Sequence, residues 1–368
     1  MKKNYIPPLS EKYTEGYATK NEWLLRYFEY RSSYSAIESN SHEIRDFQSS
    51  LGKNSSILAD RFRGCLLGLA IGDALGTTLE FKTRKEEESH TEITGGGVFN
   101  LKKGEWTDDT SMALCLAYSL LDKKAFDPKN QMQLYQKWYR DGLFSSNGSC
   151  FDIGNTTSTA IELFEQTGNP FSGSEDERSA GNGSLMRLAP VPLFFASIPS
   201  EGILNAGLSS KTTHGNQVAV DACRYFAALI LGALVGVKKD VLLNDIYEPS
   251  KDYWSYYPLS EAIVELIRSN YLIKKREEIK STGYVKDSLE AALWAFGTTD
   301  SFEKGMIRAV NLAGDSDTIG AIYGQIAGAY YGETCIPYRW IKSIKYNHYF
   351  YYLADELVSF YSGIPVTK

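Results

Sequence analysis

The sequence predicts an all-α fold, a compact multi-helix bundle, and three observations carry that prediction. Two segments of helical period place a glycine at every fourth position: Gly64, Gly68, Gly72 and Gly76, then Gly320, Gly324, Gly328 and Gly332. Seven further segments repeat their apolar residues at helical spacing, from Thr110–Leu121 to Phe302–Leu312. Between them lie turn residues rather than the strict alternation of strands. No GxGxxG follows a strand, and Gly95-Gly96-Gly97 lacks the lysine of a phosphate-binding P-loop.

Taken in order, residues 1–58 read as an N-terminal arm. Pro7 and Pro8 fix an extended start, and Asn21 caps a short amphipathic helix bearing Trp23, Leu24, Tyr27 and Phe28. The polar stretch Ser39–Ser56 then reads as a linker to a body spanning 59–368, or else the arm's helix simply packs onto that body. Asp60 is expected to cap the first glycine helix, Arg61–Leu79. Glycine inside a helix costs about 1 kcal/mol relative to alanine, so four in a row need a compensating reason. Residues four apart share a face, and each ridge therefore offers a side-chain-free groove to another helix backbone. Asp60, Arg61, Arg63 and Asp73 rule out a membrane setting for this spacing. The expected helices that follow are Thr110–Leu121, Asn130–Arg140, Thr157–Gln166, Gln217–Val237, Leu259–Ile273, Lys286–Phe296, Phe302–Leu312 and Asp317–Gly332.

Composition narrows the function classes. The 368 residues carry 39 basic and 45 acidic side chains, a net charge of −6, which argues against a general nucleic-acid or anionic-membrane binder. Five scattered cysteines without a CxxC pair support neither a zinc ribbon nor a disulfide framework. The first residues lack the apolar core of a secretory signal, and the longest apolar run, Tyr225–Val237, is shorter than the about twenty residues that span a bilayer. A cytoplasmic protein is expected.

Chemistry concentrates at two helix starts. Thr107-Asp108-Asp109-Thr110 and Gly314-Asp315-Ser316-Asp317-Thr318 each run directly into an apolar helix. Ordinary capping needs one such residue and is worth about 1 kcal/mol. The same doubled composition, 200 residues apart, points beyond capping. Brought together, Asp108, Asp109, Asp315 and Asp317 cannot all stay ionised without cations. All-oxygen donors with no histidine select Mg²⁺ or Mn²⁺, and this many carboxylates fit two ions better than one.

These motifs resemble the ADP-ribosylglycohydrolase family of all-α enzymes. Arg63-Gly64-Cys65-Leu66-Leu67-Gly68 with Gly72-Asp73-Ala74-Leu75-Gly76 comes first, then Thr107-Asp108-Asp109-Thr110. Gly181-Asn182-Gly183-Ser184-Leu185-Met186-Arg187, Thr213-His214 and Gly314-Asp315-Ser316-Asp317-Thr318 follow in the family's order, over about three quarters of the chain. The resemblance implies that Thr107, Asp108, Asp109, Asp315, Asp317 and Thr318 hold a dinuclear Mg²⁺ or Mn²⁺ centre between helix N-termini. Asp109 and Asp317 would be the catalytic carboxylates. It implies removal of ADP-ribose from arginine side chains of modified proteins, with O-linked or free ADP-ribose derivatives as the alternative substrates.

Gly181, Asn182, Gly183 and Ser184 suit phosphate or ribose contact, or mark a plain turn. His214 is either a residue of the helix-cap region or, by the resemblance, a neighbour of the diphosphate. Asp152 either caps the following helix or meets a guanidinium leaving group. Glu80 is a surface residue or a glutamate near the metals, and Trp106 packs or lines the cleft. Some bacterial members of the family act as immunity proteins, so a cognate ADP-ribosyltransferase toxin joins the ADP-ribosylated protein as an expected partner. The arm's aromatic residues, Tyr5 to Tyr34, mark where such a toxin would be bound or sterically blocked.

Overall fold

The structure, a computed structural model, describes residues 55–249 and 252–362. Almost all of the expected arm lies outside the described residues. The helices are α1 (Ser55–Gly76), α2 (Asp108–Lys123), α3 (Pro128–Asp141), α4 (Asn155–Thr167), α5 (Pro190–Phe194), α6 (Pro199–Lys211), α7 (Gln217–Leu234) and α8 (Lys239–Asn244). They continue as α9 (Tyr253–Tyr256), α10 (Glu261–Arg268), α11 (Val285–Gly297), α12 (Phe302–Val310), α13 (Ser316–Tyr331), α14 (Tyr338–Ser343) and α15 (Asn347–Ser362). Among the described residues the only β-pairings are isolated bridges, so the all-α expectation holds.

The two glycine ridges are partners of each other. Helices α1 and α13 run antiparallel in the register Gly64–Gly328, Gly68–Gly324, Gly72–Gly320 and Gly76–Ser316. A Cβ on Gly64 would lie 2.5 Å from the carbonyl oxygen of Gly328, and one on Gly68 closer still to that of Gly324. The lost helix propensity is thus exchanged for backbone-to-backbone contact at the centre of the molecule. Around this pair pack α2, α7, α11, α12 and α15. Helix α7 is apolar enough along its 18 residues to cross a membrane, yet 89% of it is buried inside the fold.

Several expected boundaries move. Helix α1 begins at Ser55 and runs through Asp60, which caps nothing at its own start. Its carboxylate instead accepts from the Thr334 amide at 2.9 Å, tying the turn after α13 to α1. The expected helix Leu259–Ile273 breaks after Arg268, leaving a 3₁₀ turn at Tyr271–Ile273. All five cysteines are free.

Candidate active site

The first turns of α2 and α13 meet because α1 and α13 touch. Asp73 directly follows Gly72, and Asp317 directly follows Ser316, the residue opposite Gly76. Neither helix start is capped by its own side chain: Thr107 precedes α2 and Asp315 precedes α13, each without a side-chain capping bond. Two amide donors at the start of α2 are satisfied from outside, by Asp73. Its carboxylate accepts from the amides of Thr107 (2.9 Å) and Thr110 (3.0 Å) and from both hydroxyls, at 3.0 and 2.6 Å. The acidic residues of α2 are therefore released from capping. That is the physical argument against reading them as decorated helix ends.

Asp109 Oδ2 lies 3.1 Å from the Thr107 hydroxyl, whose single proton it shares with Asp73, while Asp109 Oδ1 is buried with no partner. Asp317 Oδ1 and Glu80 Oε2 are buried and partnerless in the same way. Carboxylate oxygens of Asp73, Asp109 and Asp317 lie within 4.8 Å of one another, and so do those of Glu80, Asp152 and Asp317. Buried acceptors without donors are costly, and carboxylates so close repel. Burial first, then neighbouring carboxylates, hold Asp108, Asp109 and Asp317 well above the usual range. The same causes raise Glu80 to about 9 and Asp152 to about 8. For Asp73 burial dominates, but four hydrogen bonds oppose it and leave its carboxyl near about 6. Asp73 is hence an orienting residue, whereas Asp109 and Asp317 keep oxygens free to meet a cation. Asp315 is raised by burial and opposed by Asn182, whose Nδ2 donates to it at 2.7 Å.

A cleft of about 420 Å³ opens over this cluster. Glu80, Asp108, Asp152, Asp315, Asp317 and Thr318 form its acidic lining, Gly181, Gly183 and His214 also line it, and Asn182 joins the two groups through its bond to Asp315. Glu80 is no surface residue: it is 3% exposed and bridges Gly314 at the entrance to α13. Asp152 does not cap α4, which starts after Gly154 without a side-chain cap. It sits in a left-handed conformation (φ 60°) and joins the carboxylates. His214 leaves the capping of α7 to Asn216 and turns its ring to the cleft. The glycines make room for that ring, since a Cβ on Gly183 would come within 2.9 Å of it.

Ser184 departs from the expectation. Its hydroxyl faces Ser210 at 2.8 Å and accepts from the Cys223 thiol, so it belongs to the core rather than the cleft. Asn182, too, uses its amide on Gly283, which makes the loop less of an anion cradle than its composition suggests. Trp106 packs: its Nε1 donates to the Phe144 carbonyl, and its ring meets Phe350 edge-on.

Three residues take roles that local sequence did not assign them. Asp73 and Glu80 were visible as acids at the ridge and just after it, but their partners lie far along the chain. The third is Arg187, fully buried, which donates to the Gly183 carbonyl (2.9 Å) and to the Thr213 hydroxyl (2.7 Å). With its oxygen accepting from Arg187, the Thr213 hydroxyl is free to donate to His214 Nδ1 at 2.9 Å. When the hydroxyl donates in this way, Nε2 is the protonated nitrogen. Burial, reinforced by Arg187, lowers the His214 imidazole to about 3 and keeps it neutral.

Comparison with known proteins agrees with this geometry. The profile of the ADP-ribosylglycohydrolase family matches residues 54–363. The chain is 41% identical over 298 residues to ADP-ribosylarginine hydrolase Tri1 of Pseudomonas putida, covering 81% of this chain and 78% of that protein. It is 30% identical over 301 residues to ADP-ribosyl-[dinitrogen reductase] glycohydrolase of Rhodospirillum rubrum, covering 77% and 90%. A solved structure described as an ADP-ribosylglycohydrolase-related protein complex superposes with a TM-score of 0.71 at 40% identity, covering 83% of this chain and 99% of that one.

Proposed function

The chain belongs to the ADP-ribosylglycohydrolase family, and from that premise we propose that it hydrolyses the bond joining ADP-ribose to an arginine side chain of a modified protein. The proposal includes two divalent cations, Mg²⁺ or Mn²⁺, held by Thr107, Asp108, Asp109, Asp315, Asp317 and Thr318, and a cytoplasmic setting. The observation that carries it is the pair of buried, partnerless oxygens, Asp109 Oδ1 and Asp317 Oδ1, one from each helix start. A hard cation between them satisfies both and relieves the repulsion. When bound, such ions would grip ribose hydroxyls and activate a water.

The chain's own residues supply the rest. The Glu80–Asp152 end of the cleft gathers carboxyl groups that an arriving guanidinium would draw into the ionised form, matching it by charge-assisted hydrogen bonds. Carboxylates around the ribose favour the positive charge that develops at its anomeric carbon. Water oxygen bonds to that carbon as the carbon–nitrogen bond breaks. One water proton stays on the new hydroxyl and the other passes to the departing guanidine. Neutral His214 offers its Nε2–H beside Gly181 and Gly183, a donor suited to the diphosphate.

The test is release of ADP-ribose from arginine-linked and serine-linked peptides, with and without chelator. Release from the arginine substrate should stop in excess chelator, and the melting temperature should fall, because a ligand bound only to the folded state stabilises it by mass action. Mg²⁺ or Mn²⁺ should restore both. Full activity in chelator would reject the metal centre, and preference for the serine linkage would reject the arginine assignment.

A second reading concerns the arm, whose eight aromatic residues between Tyr5 and Tyr34 suit an interface with a cognate ADP-ribosyltransferase toxin. Deleting residues 1–54 should leave hydrolysis of free ADP-ribosylarginine unchanged and weaken co-purification with that toxin. Collapse of activity on deletion would make the arm part of the catalytic body.

A further inference from the structure

Phe81 stands at the mouth of the cleft in a conformation that a bulky side chain rarely adopts. Its φ is 56°, and its ring is 69% exposed. Two backbone bonds hold it there: its amide donates to the Gly314 carbonyl at 2.7 Å, and the Gly314 amide donates to Lys82 at 3.1 Å. An aromatic ring in water, on left-handed backbone, contributes little to folding. Helix caps such as Lys124 also adopt this conformation, but in a bulky exposed residue that caps no helix it is the kind of strain that clusters at ligand-binding positions. The residue before it is Glu80, and the residue after Gly314 is Asp315, so the ring borders the acidic lining of the cleft. Apolar surface continues nearby. The loop carrying Val98, 50% exposed, is tied to Thr78 through the Gly95 carbonyl at 3.0 Å. Phe99 of that loop meets Phe151, the neighbour of Asp152, at 5.3 Å between ring centres.

We propose that Phe81 is a specificity-determining residue that contacts the polypeptide around the modified arginine, favouring protein-bound over free ADP-ribosylarginine. This rests on the function proposed above. If the guanidinium sits between Glu80 and Asp152, the chain that carries it leaves the cleft past Phe81. The Gly181–Gly183 loop and His214 take the ADP portion.

The test compares Phe81→Gly, which suits the left-handed backbone, and Phe81→Tyr with the parent chain on an ADP-ribosylated protein and on free ADP-ribosylarginine. Phe81→Gly should lower kcat/KM on the protein about tenfold, through KM, and change the small substrate by less than about twofold. Phe81→Tyr should recover the protein activity, and the melting temperature of Phe81→Gly should not fall. Equal losses on both substrates would place the ring against ADP-ribose and overturn the inference, as would no loss on either. Inactivity of the parent chain toward both substrates would overturn the functional reading itself, and this inference with it.

Discussion

Asp109→Ala and Asp317→Ala will each reduce ADP-ribose release by more than about a hundredfold, since even groups one step removed from a metal are worth about 10–100-fold. Neither should disturb the fold. Both side chains are buried, carry an oxygen with no partner, and are held protonation-prone by burial and by neighbouring carboxylates. Removing one relieves repulsion, so the melting temperature in chelator should hold or rise. Asp73→Ala should behave in the opposite way. It strands the Thr107 and Thr110 amides in a buried place, at about 1–3 kcal/mol for each unsatisfied group. Melts of the three variants in chelator, run beside an activity assay, separate the two roles. Near-normal turnover by Asp109→Ala or Asp317→Ala would remove that residue from the metal set.

This division between ligand and support explains what could be read from the sequence. The glycine ridges and the two acidic helix starts are local patterns, complete within a few residues, and their recurrence along the chain is what points beyond packing and capping. Asp73 is different. An acid between two ridge glycines says only that something polar faces it, and that something is 34 residues away. Glu80 reads either as a surface acid before a phenylalanine or, by the resemblance, as a glutamate near the metals, and its burial comes only from pairing with Gly314 across 234 positions. Ser184 lies in a loop of small residues, yet the same turn that brings Gly183 to His214 points the next side chain at Ser210. Helix α6 gives no helical pattern in the sequence because Ser, Asn and Gly fill it, and α15 gives none because tyrosines blur its period. Tertiary burial, not propensity, makes both helical.

Gly68→Leu and Gly324→Leu should each destabilise the protein in urea melts despite leucine's better helix propensity. Overpacking commonly costs about 1–3 kcal/mol, and here the obstacle is backbone, which cannot rotate away as a side chain can. Even the first added carbon at Gly68 would overlap the Gly324 carbonyl. Gly154→Ala supplies the control, because a Cβ there meets nothing within 4 Å. The position along the ridge should also matter. Gly72 packs on Gly320 beside Asp73, whereas Gly64 packs on Gly328 three turns away from the acidic cluster. Spreading α1 from α13 at Gly72 moves the support of α2 away from Asp317, so Gly72→Ala should weaken Mg²⁺ or Mn²⁺ binding, read as a smaller cation-induced rise in melting temperature. Gly64→Ala should lower stability while keeping that rise. Equal effects of the two on cation binding would mean that the glycine ridge holds the fold together without setting the geometry of the site.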